Sequence, residues 1–246
     1  MRPPIDTIVA PSFPEGLEWL NVAPLRIEKQ SERPVLVDFW DFCRPESLKV
    51  LPHIQRWHET YEPLGLRVIS VHSPGFAAGR DPEVVRAAAE RLGVEHPVVL
   101  DPDFACWRAY DNPGWPARYL VAPGLSLVDV HHGDGAIRET ELAIREQLGL
   151  DDRPGPGCPP DDADDLLVVP SPPREGNGSG PYAAGEAWAI CDGRGELEVN
   201  GETLEVAGPG AVLLVSHPRH TEGVLDIRAG DGVEVLETVF LAGPPA

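Results

Sequence analysis

From residue 35 to residue 148, runs of apolar residues take turns with apolar residues at helical spacing. Val35–Phe39 reads as a buried strand. Pro45–Tyr61 follows as a helix, with Leu48, Leu51, Ile54 and Trp57 at intervals near three. Leu66–His72 predicts a second strand. Pro82–Leu92 predicts a second helix, because Asp81 precedes a proline whose fixed φ suits the first helical position. Val98–Leu100 is a short strand, Asp103–Tyr110 a helix, and Tyr119–Ala122 with Ser126–His131 a hairpin. Glu139–Leu148 closes the series as a helix before Gly149. The order βαβα then ββα indicates an α/β sandwich around a mixed sheet.

The pattern then changes. Residues 151–181 are dense in Pro, Gly, Asp and Ser and read as a linker, with Leu166–Val169 able to add a strand. Glu196–Val206, "ELEVNGETLEV", carries an Asn-Gly two-residue hairpin signal that puts Leu197, Val199, Leu204 and Val206 on one face. Ala187–Cys191, Ala211–Ser216, Val224–Arg228 and Val233–Phe240 add short strands between Gly-rich turns. The expected organisation is an α/β domain over 1–150, a linker over 151–181 and a small all-β sandwich or barrel over 182–246.

Charge narrows the partners. Twenty Lys and Arg stand against forty Asp and Glu, a formal net charge of −20. Nucleic acid and anionic membrane surfaces would be repelled. The first residues lack the basic start and apolar core of a secretory signal, and no apolar run approaches the ~18 residues of a membrane span. Four scattered cysteines (Cys43, Cys106, Cys158 and Cys191) make no disulfide framework, so free thiols in the cytoplasm are expected.

Six stretches, in order, carry a resemblance: "FPEGLEWLN", "VLVDFW", "LRVISVHSPGF", "LGVEHPVVLDPDFACWRAY", "GWPARYLV" and "VHHGDG". Residues 13 to about 148 resemble the thioredoxin-fold, or redoxin, domains of the TlpA/DipZ and NHL-repeat-associated type. That family's Cys-x-x-Cys lies between the Trp of Asp-Phe-Trp and a helix Pro. Counting from Trp40 to Pro52 without a gap places its two redox positions on Arg44 and Ser47. The first Cys of such a pair is favoured as thiolate at a helix start, and the second resolves the mixed disulfide one turn on. A guanidinium and a hydroxyl can do neither, so the resemblance implies a fold that has lost dithiol exchange.

Cys43, one residue before the first redox position, has two readings. At the helix entrance beside Arg44 it could serve as a single thiol nucleophile, in a spacing similar to the Asp-Phe-x-x-x-Cys of peroxiredoxins, although that family's Thr is Trp40 here. Alternatively it is a partly buried small apolar residue at a strand–helix junction. The resemblance makes Pro116 the cis-proline facing the redox positions, and Trp115, Pro116, Ala117 and Arg118 the wall of a groove for a peptide or protein partner.

Other constellations add little. His217-Pro-Arg-His220 has a chelating spacing, but a loop containing Pro is no helical pair, and no metal or cofactor is called for. His131 and His132 point to opposite faces of a strand. Cys106 and Cys191 read as core, Cys158 as the exposed thiol, and Asp161–Asp165 as a solvating run. "GDG" at 133–135 lacks a nucleotide-binding context. Two functions follow: a binding or structural module without dithiol exchange, or a one-cysteine peroxidase or monothiol reductase using Cys43. A glycan-binding role for the β-module would depend on Tyr182 and Trp188 being exposed.

Overall fold

The computed structural model describes residues 8–159 and 168–245. The chain forms two compact units, Met1–Asp41 with Glu46–Ala163 and Phe42–Pro45 with Asp164–Ala246.

In the first unit the elements run β1 (Trp19–Leu20), β2 (Val35–Trp40), α1 (Pro45–Tyr61), β3 (Arg67–His72), α2 (Pro82–Arg91), β4 (Val98–Leu100), α3 (Ala105–Ala109), β5 (Ala117–Val121), β6 (Leu127–His132) and α4 (Ile137–Gln147). The sheet has six strands in the order β1-β4-β3-β2-β5-β6. Strands β2, β3 and β4 are parallel, whereas β1, β5 and β6 join antiparallel. This is the mixed α/β sheet that the alternating pattern predicts.

Both faces of β2 are buried, which is why its sequence shows a run rather than an alternation. Val35, Val37 and Phe39 pack with Ile69, Val71, Tyr119 and the aromatic ring of Tyr110 on one side. Leu36 faces the other side, where Val50, Ile54, Trp57 and Tyr61 of α1 meet Ile137 and Ile144 of α4. The buried stripe of α1 therefore runs through Val50 rather than Leu48, which is half-buried. Helix α4 starts two residues before the expected Glu139, because Ile137 belongs to this core. Helix α3 is shorter than Asp103–Tyr110 because the Asp101 carboxylate sets its start, accepting from the Cys106 and Trp107 N–H groups at 2.9 and 3.0 Å.

The stretch expected as a linker is ordered at both ends. Asp151 and Gly155 are held on α4: Arg145 Nε donates to the Asp151 carbonyl at 3.1 Å, and Gly155 N–H donates to Glu141 Oε1 at 2.8 Å. Leu166 and the run Asp161–Asp165 lie outside the described residues, while Val168 bridges Gly243.

In the second unit, β7 (Arg174–Glu175), β8 (Gly180–Gly193), β9 (Gly195–Val199), β10 (Glu202–Val206), β11 (Gly210–Leu225), β12 (Ile227–Ala229) and β13 (Val233–Leu241) form two antiparallel sheets, β11-β8-β13-β7 and β10-β9-β12. Strand β7 lies inside the expected linker. The Asn-Gly turn joins β9 to β10 with φ of 52° at Asn200 and 86° at Gly201, and Leu197 pairs with Leu204. Leu197, Val199 and Val206 enter the core with Ala187, Leu225 and Phe240.

His217–His220 is no loop but part of β11, where a register shift between Ser216 and Thr221 accommodates Pro218. Tyr182 is buried rather than available for stacking, because its ring lies on Phe240 at 5.6 Å and its hydroxyl is 2.7 Å from His217 Nε2. Trp188 is half-buried, its indole N–H donating to Glu186 at 3.0 Å. Among the described residues, no helix is long and apolar enough to cross a membrane.

Candidate functional site

The site is built where β2 and β3 end and β5 begins. The Trp115–Pro116 peptide is cis. Its indole N–H donates to the Ser73 carbonyl at 2.9 Å, while Ser73 Oγ donates to Asp101 at 2.9 Å. The same carboxylate thus caps α3 and fixes the turn after β3. Trp115 also meets Trp107, ring centroids 4.4 Å apart, and Phe104 at 6.3 Å, so a half-buried aromatic cluster flanks the proline.

At the end of β2, Asp41 takes the Gly75 N–H at 2.8 Å and lies 3.4 Å from His72 Nε2. Ser47 is buried, and its hydroxyl accepts the Asp41 N–H at 3.3 Å. The hydroxyl is thus occupied in holding the backbone. Cys43 is 1% exposed, fully rather than partly buried, and Arg44 is half-buried.

Of the four residues expected to wall a groove, only Trp115 is half-exposed; Pro116, Ala117 and Arg118 are buried. Strand β5 lies between β2 and β6, so its side chains go into the two cores rather than outward. Arg118 runs beneath α1, with its guanidinium 6.0 Å from the Trp57 ring and a hydrogen bond to the Gly135 carbonyl.

Arg118 closes a polar row that crosses the sheet beneath α1. Asp38 pairs in register with Arg118 on one side and Ser70 on the other. Ser70 Oγ donates to Asp38 Oδ2 at 3.2 Å and lies 2.7 Å from His96 Nε2, with every member 1% exposed or less. Burial pushes the Asp38 carboxyl up to about 7, against the pull of Arg118 and the Ser70 hydrogen bond. Burial, reinforced by His58, pushes His96 down to about 3.

A second polar centre lies between α1 and α4. Glu141 is buried and accepts from Arg56 (2.6 Å), Trp57 Nε1 (3.1 Å), Tyr61 Oη (2.7 Å) and the Gly155 N–H (2.8 Å). Burial alone would raise this carboxyl, but the hydrogen bonds from Tyr61, Trp57, Cys158 and Gly155 hold it below its ordinary value. Cys158, expected to be exposed, is half-buried against Glu141, and burial and that neighbour push its thiol up to about 11. The Cys191 thiol is pushed up to about 11 by burial, and that of Cys106 higher still by burial beside Asp101. Among the described residues, no cluster of three or more His, Cys, Asp or Glu is arranged to hold a metal ion.

The sequence reading missed both polar centres, because their members come from separate segments. The one local signal was an acid inside an apolar pattern, at Asp38 within "VLVDFW" and at Glu141 between Ile137 and Ile144.

These features define the first unit as a thioredoxin-like domain. Its sequence is similar to the protein DipZ and to the thiol-disulfide oxidoreductase ResA of Halalkalibacterium halodurans. No family model matches the chain. The chain is 33% identical to the protein DipZ of Mycobacterium bovis over 153 residues, a match covering 61% of this chain but 22% of DipZ. It is 28% identical to the thiol-disulfide oxidoreductase YkuV of Bacillus subtilis, covering 53% of this chain and 87% of that protein. The crystal structure of a thiol-disulfide isomerase from Corynebacterium glutamicum shares the fold, with a TM-score of 0.52 at 21% identity over 58% of this chain and 98% of that one.

Proposed function

We propose that the thioredoxin-like unit is a binding module that has given up dithiol exchange and takes a peptide or protein partner beside Trp115 and Pro116. The observation that carries this reading is Ser47. At the second redox position stands a buried hydroxyl committed to the Asp41 N–H, and at the first stands Arg44, so no pair of sulfurs is available there. The aromatic cluster of Trp107 and Trp115 supplies a half-open apolar surface for an extended partner chain.

In this reading the protein does not reduce insulin disulfides with dithiothreitol as electron source, and Cys43 is alkylated only as fast as the protein unfolds. The Cys43→Ser variant serves as the labelling control. Rapid alkylation with an apparent pKa well below that of a free thiol, together with peroxide consumption lost in Cys43→Ser, would overturn the proposal. That outcome would establish the one-cysteine enzyme instead.

A further inference from the structure

Helix α4 presents two faces. Ile137, Glu141 and Ile144 are buried, whereas Glu139, Leu142, Ala143 and Glu146 recur at helical spacing along the outer side. The chain turns at Gly149 and returns alongside this face, so Leu150, Asp151 and Asp152 form the opposite wall of a groove of about 640 Å³. The floor is apolar, with Leu142, Ala143 and Leu150 each half-buried. The rim is acidic. Asp151 is paired with Arg145, but among the described residues no base pairs with Glu139, Glu146 or Asp152.

The helix adds to this field. Glu146 and the returning carboxylates sit at the C-terminal end of α4, where the last carbonyls concentrate partial negative charge. An anion would meet repulsion from both sources, and an uncharged apolar segment would leave the rim charges without partners. A cationic segment with a leucine-sized side chain satisfies floor and rim together.

We infer that the α4 groove docks a short basic, leucine-bearing segment of another protein. The leucine fills the space between Leu142 and Leu150, and flanking arginines or lysines reach Glu139 at one end and Glu146 and Asp152 at the other. This surface lies entirely on α4 and the segment after it, and does not depend on the reading of the Pro116 site.

The test is fluorescence anisotropy on the full chain. The probe is a fluorescein-labelled peptide of about ten residues alternating leucine and arginine, compared with its leucine-to-serine counterpart. Saturable binding is expected for the leucine peptide. It should weaken about tenfold in the Glu139→Gln/Glu146→Gln/Asp152→Asn protein, whose exposed changes leave the fold intact. It should weaken comparably in Leu142→Ser, and for the serine peptide. Equal binding of both peptides, or undiminished binding by the rim variant, would show diffuse attraction to the −20 charge and overturn the inference, as would no binding. A control variant with Glu196, Glu198 and Glu205 of β9 and β10 neutralised instead must retain the wild-type affinity.

Discussion

Asp38 and His96 show how two buried side chains can cancel each other's influence on stability. The folded chain keeps the Asp38 proton up to about 7, whereas the unfolded chain releases it near 3.8, so this group's contribution is present at low pH and lost as pH rises to 7. His96 has the opposite sign. Its folded form stays neutral down to about 3 while the unfolded imidazole protonates below 6.5, so its contribution is present at high pH and lost as pH falls. Across pH 4.5–6 the folded and unfolded chains hold the same number of protons on this pair, and its net effect is flat. Asp38→Asn removes one side of the balance. Relative to wild type, its unfolding free energy in urea should then climb by up to about 1.4 kcal/mol per pH unit between pH 4.5 and 6. Parallel curves for the two proteins would contradict the assigned protonation. None of this was legible beforehand, since Asp38, Ser70 and His96 come from three separate segments that only strand pairing brings together.

Among the elements, legibility followed how local the cause was. The β9–β10 hairpin was readable because its turn, register and buried face are all written within eleven neighbouring residues. His217–His220 was misread because Pro218 signals a loop, and a strand tolerates it only through a register shift set by the partner β8. The segment after α4 was misread for a similar reason: its Pro and Gly suggest a free connector, and its anchor, Glu141, is a residue of the preceding helix. Glu141→Gln leaves Arg56 beside a neutral amide and should cost about 3 kcal/mol in urea unfolding. Because the ionised carboxylate is the stabilised form, that difference should shrink as pH falls below 4.5. Gly155 is required by space rather than by φ. A Cβ there would lie 2.7 Å from Glu141 Oε1 and 2.8 Å from Tyr61 Oη. Gly155→Ala should therefore lift the segment from its anchor and speed reaction of Cys158 with an aromatic disulfide reagent severalfold. An unchanged rate would mean that the anchor does not shield the thiol.

For the molecule as a whole, the excess of acid is the dominant global term. A formal charge of −20 on 246 residues repels itself, and salt screens that repulsion over about 8–10 Å. Raising sodium chloride from about 10 to about 150 mM should raise the melting temperature by a few degrees, whereas a drop would place the stabilising ion pairs above the repulsion. At this scale the order of elements in the first unit was legible, because consecutive βα segments leave few topologies. The identity of the fold came from a resemblance spread over six stretches rather than from any one of them.

The polar row beneath α1 also bears on how the chain finds that topology. Asp38 and its partners come from three adjacent strands, and a slip of β2 by one residue would turn its carboxylate toward Ile69, Val71 and the rings of Tyr110 and Tyr119 on the other side. There it would meet neither guanidinium nor hydroxyl. The row works as an alignment mark: purely oily strands would forgive an offset assembly, and these three do not.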